Sequence, residues 1–412
     1  MKTIGIFLTA LAILNACETE NLPQTENKIN VDKTTREIIQ ADNDFGITLF
    51  KEVAASDAEA DNVFISPTSV ALALAMTYNG AGGDTKTAME NTLKKAGFTL
   101  EEINQSYKSL MGALVSVDPG VLLEIANSIW YRQDFSVLPD FISVNSTYYQ
   151  AQVNSLDFSD PLAKIIINNW VKENTHGKIA EIIDQIPEEA VMYLINAIYF
   201  KGIWRSEFDR EKTADKVFTT GEGLQITVPM MQQQDTFRYA RYDNLSCVEL
   251  PYGQGNFNMI ILLPETGVDI QEIIAALTPE SWNSIIQSLS DREVVIQLPR
   301  FKFEYKNTLN DELTVMGMGL AFSDQADFSK ISSPALLAIS RVLHKTFVEV
   351  NEEGTEAAAV TAVEIVNTSI GETAPPVFFF VNRPFVFAIR ERDTGAIVFM
   401  GSVKNPGASA NE

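Results

Sequence analysis

The chain has 412 residues with 31 basic and 54 acidic side chains, giving a formal net charge of −23 at pH 7. No basic stripe interrupts this acidity, which excludes nucleic acid as a partner and anionic lipid as an electrostatic one. The length can bury a large core. Because no Gly-, Ser- or Pro-rich linker interrupts the chain after residue 40, one large domain over residues 41–412 is expected rather than two.

The N-terminal residues predict export and lipid anchoring. A single Lys2 precedes an apolar run over residues 4–14, which is too short to span a bilayer. The run ends in the letters LNAC at Cys17, which resembles a bacterial lipoprotein signal. We expect removal of residues 1–16 and diacylation of the Cys17 thiol, after which 30 basic residues remain and the net charge is −24. An ordinary signal peptide with a chance cysteine is the alternative.

Residues 17–40 are expected to form a flexible acidic tether, because residues 18–33 are polar and show no helical or strand period. The acidic triplet Glu18-Thr19-Glu20 resembles surface-export signals of some outer-membrane lipoproteins. The expected location is therefore the bacterial cell envelope, at the outer membrane and on its exposed face. Only Cys17 and Cys247 are present, so lipidation of Cys17 leaves no intrachain disulfide.

Helical and strand patterns are mixed along the chain, which predicts an α+β fold. The Ser66-Pro67 pair predicts a helix start, and the helix that it opens is apolar on every side and should be buried. Helices are expected at residues 44–55, 70–78, 84–93, 139–150 and 165–175. Strands are expected at residues 122–131, 191–200, 246–250, 256–263, 294–298, 345–350, 377–381, 385–390 and 396–401, the last two as a hairpin.

Residues 351–376, NEEGTEAAAVTAVEIVNTSIGETAPP, allow two interpretations. From Thr355 every second residue through Ile365 is small or apolar and uncharged, while the two glutamates between these positions, Glu356 and Glu364, fall on the alternate set. A strand would therefore bury one face and expose the other. The glycine-rich start and the Pro-Pro end equally suit an exposed loop. The residues alone leave loop and strand open.

Catalytic and cofactor motifs are missing from the sequence. The two histidines, His176 and His344, have no metal-ligand spacing and no nucleophile elbow nearby, and His176-Gly177 is typical of a helix end. No phosphate-binding glycine loop follows a strand. An enzyme is not expected, and neither a cofactor nor a metal is predicted.

Several segments occur in the order typical of one family. They are residues 62–69 (NVFISPTS), 196–204 (NAIYFKGIW), 228–231 (VPMM), 250–252 (LPY), 382–385 (NRPF) and 399–406 (FMGSVKNP). Together with the acidic and small residues after position 351, they resemble the serpin family of serine protease inhibitors from about residue 41 to residue 406. The resemblance implies a large central, mostly antiparallel sheet, further sheets, surrounding helices and an exposed reactive-centre loop at about residues 352–376.

The resemblance also implies a function. Inhibitory serpins offer the loop as bait, and after cleavage the metastable fold takes the loop into the central sheet and distorts the covalently bound protease. Small uncharged residues at the inward hinge positions match inhibitory members. The hinge residues are Glu352, Glu353, Gly354, Thr355, Glu356, Ala357, Ala358 and Ala359.

Further roles are carried over by the same resemblance. Ser66, Asn196 and His344 are expected to form a polar network beneath the point where the sheet opens, with the imidazole bonded to a serine hydroxyl and an asparagine amide. Trp204 is expected at the top of that sheet, where the loop enters. The scissile bond is expected at Thr368-Ser369, with Val366, Asn367 and Ile370 as nearby alternatives.

Specificity follows from the composition of the loop. No Lys or Arg lies between Gly354 and Pro376, so trypsin-like targets are disfavoured and elastase-like serine proteases, subtilisin-like proteases or cysteine proteases are the expected partners of a monomeric inhibitor. A non-inhibitory serpin that acts as a surface binding module or chaperone is the alternative. The extra length over residues 370–374 favours that alternative.

Overall fold

The computed structural model describes residues 27–333, 337–355 and 375–408. The expected signal and Cys17, the hinge from Glu356 to Ala359 and the Thr368-Ser369 bond lie outside the described residues. Nine α-helices occur within them: α1 (Lys33–Ser56), α2 (Pro67–Tyr78), α3 (Gly83–Thr92), α4 (Leu100–Leu114), α5 (Pro139–Tyr149), α6 (Pro161–Asn174), α7 (Ile270–Ala276), α8 (Pro279–Ser288) and α9 (Asn310–Leu313). Over these ranges no helix has the length and apolarity needed to cross a bilayer.

The described residues also form fifteen strands in two sheets. They are β1 (Asn62–Ile65), β2 (Val121–Arg132), β3 (Gln152–Leu156), β4 (Met192–Ile203), β5 (Ala214–Thr219), β6 (Gln225–Tyr242), β7 (Leu245–Pro251), β8 (Phe257–Pro264), β9 (Ser290–Pro299), β10 (Phe301–Thr308), β11 (Leu343–Val350), β12 (Gly354–Thr355), β13 (Val377–Phe380), β14 (Phe385–Glu391) and β15 (Ile397–Val403).

The six-stranded sheet, which we call the central sheet, has the order β10-β11-β12-β4-β2-β3. All of its neighbours are antiparallel except β2 and β3. A second, nine-stranded sheet follows the order β1-β15-β14-β8-β7-β6-β9-β13, with β5 attached to β6. The α+β fold with a large, mostly antiparallel central sheet is therefore confirmed.

Helix α2 lies beneath the central sheet because its sequence is apolar on all sides. Ser66 caps the helix by accepting the backbone N–H of Ser69, and Pro67 occupies the first turn, where its missing N–H costs nothing. Eleven of its twelve residues are buried, as the sequence predicts. The helix belongs to one hydrophobic core that reaches both sheets, so its position is fixed from several sides.

The outer face of the central sheet is covered by α6 and the segment after it. Their apolar side chains form a second buried cluster with Trp130 of β2 and with Ile195 and Ala197 of β4. Strand β4 therefore has apolar neighbours on both faces. This explains why its sequence shows an apolar run rather than a simple alternation.

The predicted tether is wrong in its last part. Helix α1 begins at Lys33, capped by the side chain of Asp32, and Ile38 and Ile39 are almost fully buried. Ile29 is also buried, ahead of the helix. Most of the polar residues between Ile29 and Ile38 are exposed, whereas Thr35 is polar and buried, so the buried face has no simple apolar period in the sequence. The predicted boundary at residue 40 therefore falls inside α1.

Candidate functional site

The candidate site is the space between β11 and β4, which we call the seam. At its upper end β12 pairs with both strands: Thr355 lies opposite Val350 on one side and Gly202 on the other. A tight turn leads into β12, in which Asn351 and Gly354 exchange backbone hydrogen bonds. Within the described ranges, Gly354 and Thr355 are the residues that join the two strands. The seam is thus entered by two residues of the hinge itself, Gly354 and Thr355.

Gly354 is required by the close approach of β4. A Cβ atom at this position would lie 2.0 Å from the carbonyl oxygen of Gly202 and 2.8 Å from the Cα of Ile203. Both contacts are to backbone, which cannot rotate away. A larger residue at position 354 would therefore push β12 out of the seam.

Two arginines hold the acidic hinge residues. The Nε atom of Arg300 donates to both carboxylate oxygens of Glu352, at 2.7 and 2.8 Å, and Thr213 Oγ1 donates to Oε1 at 2.5 Å. Arg210 forms an ion pair with Glu353. Burial alone would raise the pKa of Glu352, but the hydrogen bonds from Arg300 and Thr213 outweigh it and hold the pKa below its ordinary value. The chain is thus anchored just before it enters the seam.

Trp204 lies at the entrance to the seam. Its indole N–H donates to the carbonyl oxygen of Asn351 at 2.9 Å, and its backbone N–H donates to that of Glu353. The indole stacks on Tyr252 with centroids 4.4 Å apart, and the Tyr252 hydroxyl lies 2.6 Å from Oγ1 of Thr355. The structure places Trp204 where the resemblance puts it; a gating role stays a prediction.

Ser66 and His344 meet beneath the seam, but not through the expected hydroxyl. His344 Nε2 accepts the backbone N–H of Ser66 at 3.1 Å. The Ser66 hydroxyl instead donates to the carbonyl oxygen of Val398 and accepts the N–H of Ser69. The predicted imidazole–hydroxyl bond is therefore wrong, because the hydroxyl is already engaged as the cap of α2. Burial lowers the pKa of His344 to about 4, so the ring is neutral.

Asn196 lies on the other side of the seam and bonds to a different residue. Its Nδ2 donates to Oδ1 of Asn127 at 2.8 Å, and Asn127 Nδ2 in turn donates to the carbonyl oxygen of Tyr149. The expected bond from the imidazole to an asparagine amide is not among the contacts of the described residues. Asn196 Oδ1 is buried and accepts no hydrogen bond from the described part of the chain. This amide oxygen is therefore available to accept a hydrogen bond from a further donor that enters the seam.

The lower seam contains a cavity of about 160 Å³. One wall is the start of β4, the opposite wall is the start of β11 with the segment before it, and α2 forms the floor. The lining includes Leu194, Val342, His344, Asn196, Val70 and Leu74. The cavity is therefore mixed in character: Leu194, Val342, Val70 and Leu74 give it apolar walls, and His344 and Asn196 are among its polar lining residues.

Several of these residues were missed by the sequence analysis. Arg300, Arg210 and Asn127 reach the site from three different strands or loops, and nothing in their local sequence marks them. Tyr252 ends the family-typical segment at residues 250–252, but no role was predicted for it. His176 pairs with Glu124 on the outer face of the central sheet, away from the seam. Over the residues that the structure describes, no group of three or more His, Cys, Asp or Glu side chains could hold a metal ion.

The comparisons with known proteins agree with this architecture. Residues 40–406 match the family described as Serpin (serine protease inhibitor). The chain is 35% identical over 408 residues to Iripin-8 of Ixodes ricinus, covering 96% of this chain and 99% of that protein. It is 35% identical to the leukocyte elastase inhibitor of Homo sapiens, covering 90% of this chain and 100% of that protein.

A solved structure has the same fold. The crystal structure of the thermophilic serpin Tengpin in the native state matches with a TM-score of 0.82 and 36% sequence identity, covering 92% of this chain and 96% of that one. The fold and site define a protein whose hinge begins to pair between β11 and β4 of the central sheet, and the chain belongs to the serpin family. Its inhibitory relatives support protease inhibition as the general function, with proteases as partners. Serpins are inhibitors of proteases rather than catalysts.

Proposed function

We propose that this protein inhibits proteases as a suicide substrate. The loop between β12 and β13 is cleaved by the target, the acyl-enzyme forms, and the freed segment continues β12 down the seam before deacylation. Insertion of a loop strand into a sheet is a known form of conformational switching in serpins. The attached protease is carried along and distorted.

The register of β12 is the observation that supports this proposal. Thr361 lies six positions beyond Thr355; six positions before Val350 lies His344, and six before Gly202 lies Asn196. Continued at the same register, Thr361 arrives between the two polar side chains of the lower seam. Its hydroxyl can donate to the unpaired Oδ1 of Asn196.

The next inward residues match the apolar part of the seam. Two positions further on, Val363 arrives between Leu194 and Val342, which both line the cavity. Ile365 follows at the level of Met192, also a lining residue. Thr361 thus meets polar side chains and Val363 meets apolar ones, which favours insertion of this segment over a neutral surface loop.

The length of the insert also suffices. A strand of about 13 residues extends about 43 Å at 3.3 Å per residue. Insertion from Thr355 to Asn367 would therefore move a protease bound to Thr368 from one end of the central sheet to the other. This supports Thr368-Ser369 as the cleaved bond.

The proposed targets are elastase-like serine proteases, with subtilisin-like and cysteine proteases as further candidates. The loop offers Ile365, Val366 and Thr368 but no Lys or Arg, and these side chains suit shallow apolar pockets. The similarity to a protein named leukocyte elastase inhibitor supports the same class.

The proposed location is the outer membrane of a bacterial cell, facing outward, through a lipid on Cys17. The apolar run ending in LNAC supports this. A Cys17→Ala variant is expected to lose incorporation of labelled fatty acid and to leave the membrane fraction. Fatty-acid labelling that persists in this variant contradicts the anchor.

An adduct assay tests the inhibitory function. The full-length protein is incubated with an elastase-like protease and then examined on a denaturing gel and by intact mass. We expect a detergent-resistant adduct and a C-terminal peptide that begins at Ser369. Clean cleavage of the loop with an active protease contradicts the proposal and favours a non-inhibitory serpin that acts as a surface binding module or chaperone.

A further inference from the structure

Strand β13 carries an aromatic pair, the exposed Phe378 and the half-buried Phe380, at the edge of the nine-stranded sheet. It pairs with β9 in parallel, and Phe378 lies opposite Val295 while Phe380 lies opposite Gln297. Phe379 points inward and is buried, whereas Phe378 is 66% exposed. The rings of Phe378 and Phe380 contact each other with centroids 5.7 Å apart. We call Val295, Phe378 and Phe380 the aromatic edge patch.

The composition of this patch differs from that of most outward-facing strand surfaces. Outward positions of a sheet that faces water are normally polar, and edge strands are normally protected by charge. Single exposed apolar residues need no explanation, but adjacent aromatic rings on an edge strand indicate a partner.

The surroundings of the patch resemble the rim of a protein interface. Beside Phe380, Gln297 Nε2 donates to Oε1 of Gln232 at 2.9 Å, and Lys216 Nζ donates to the same oxygen at 3.2 Å. These polar groups satisfy one another, so they can border an apolar contact without leaving unpaired donors. Aromatic side chains inside a polar rim are typical of binding hot spots.

The chain itself indicates which partner can reach the patch. Phe378 follows Ser369 by nine positions, which is at most about 30 Å of extended chain. A protease of about 220 residues has a radius of gyration of about 17 Å. The patch thus lies within about 30 Å of chain from the cleaved bond. A protease of this size whose active site holds the Thr368-Ser369 bond is therefore large enough to contact the patch as well.

We propose that the aromatic edge patch is a second contact surface for the target protease. It fits an apolar surface beside the part of the active-site cleft that binds residues after the cleaved bond. This inference rests on the proposed function and adds a specificity determinant outside the loop. The partner would thus be selected by two features, the loop sequence and an apolar surface next to the cleft.

The patch should act before cleavage and not after it. After cleavage Phe378 belongs to the C-terminal fragment, whereas the protease stays attached to Thr368 and leaves with the inserting strand. The contact therefore stabilises the encounter complex and is lost during insertion. It should change the rate of association without changing the fraction of cleavage events that end in a trapped complex.

The test compares a variant carrying both Phe378→Ser and Phe380→Ser with the unchanged full-length protein. The second-order rate of reaction with an elastase-like protease is expected to fall about tenfold, as for the loss of one hot spot. The adduct fraction per cleavage should stay the same. The control is Val315→Ser, which changes a side chain that is 72% exposed on a different segment and should leave the rate unchanged.

Three results would overturn the inference. The first is a reaction rate of the double variant that stays within twofold of the rate of the unchanged protein. The second is an equal loss of reaction rate in the Val315→Ser control. The third is dimerisation that the double variant abolishes, because the patch would then bind a second copy of the chain. If the double variant unfolds, Phe378→Ser alone is used, with thermal unfolding as the check.

The same experiment separates this inference from the proposed function. If the unchanged protein is cut in its loop without forming an adduct, trapping fails. The cleavage rate then replaces the adduct rate as the readout. A tenfold slower cleavage of the double variant still supports the aromatic edge patch, and an equal rate contradicts it.

Discussion

The hydroxyl oxygen of Tyr252 lies 2.6 Å from Oγ1 of Thr355, in a buried site. This contact joins the residue that follows β7 to the first inward residue of β12. Burial raises the pKa of Tyr252 far above its ordinary value, so the phenol stays protonated. The two hydroxyls therefore satisfy each other where the loop enters the seam.

A double-mutant cycle tests this contact. Thr355→Val leaves the buried Tyr252 hydroxyl without its partner and should lower the free energy of unfolding by about 1–3 kcal/mol. Adding Tyr252→Phe removes the unpaired group and should restore part of that loss. The measurement is urea unfolding of the four proteins. Strictly additive effects would mean that the contact contributes nothing.

The ion pair of Arg300 with Glu352 should stabilise the hinge in a pH-dependent way. Arg300→Gln leaves a nearly buried carboxylate without its cation and should cost about 1–3 kcal/mol at pH 7. Because the pKa of Glu352 is depressed in the folded state, its contribution is present above pH 4.5 and is lost as pH falls below that value. Unfolding at pH 7 and pH 3.5 should show the difference between the two proteins shrinking. A constant difference contradicts this account.

His344 should make stability fall between pH 6.5 and pH 4. Its pKa is lowered by burial from 6.5 to about 4, so the unfolded chain binds the proton first and stability is lost as pH falls through this range. At pH 4 the loss should approach about 3 kcal/mol. His344→Gln should flatten the slope of unfolding free energy against pH. Equal slopes in this variant and in the unchanged protein would refute the assignment.

The side chain at position 361 should determine whether the protein traps a protease or is only cleaved by it. Thr361→Arg would bring a charge between His344 and Asn196 in the seam, where burying it opposes insertion. The neighbouring Val360→Arg places the same charge on the alternate, outward set. We expect the first variant to be cleaved without forming an adduct and the second to keep forming it. Equal amounts of adduct for both variants on a denaturing gel would contradict the proposed register of the inserted strand.

Much of the fold was predictable where one physical signal dominated. The Ser66-Pro67 cap located the start of α2, its uniform apolarity predicted burial, and the turn at Asp393 predicted the β14–β15 hairpin; all three are confirmed. Strand β6 was missed because three consecutive glutamines interrupt its alternation. Helix α4 was also missed, although Thr99 and Glu102 form a capping box at its start that could have revealed it.

The site was less predictable because it is assembled from distant residues. The family resemblance identified Ser66, Asn196, Trp204 and His344 but gave the wrong hydrogen bond for the imidazole. Which group an imidazole meets depends on whether the neighbouring hydroxyl is already used as a cap, and the sequence does not show this. The arginines that hold the hinge likewise come from distant segments. Arg300 lies between β9 and β10, where the pairing of β10 with β11 brings it to the hinge, and Arg210 lies between β4 and β5.

The most direct test of strand insertion is the thermal unfolding midpoint before and after cleavage of the loop. Filling the seam with residues 355–367 buries small and branched side chains worth about 5 kcal/mol. The midpoint of the cleaved protein should therefore rise by about 6 °C. A midpoint that stays the same or falls would show that the cleaved loop remains outside the central sheet.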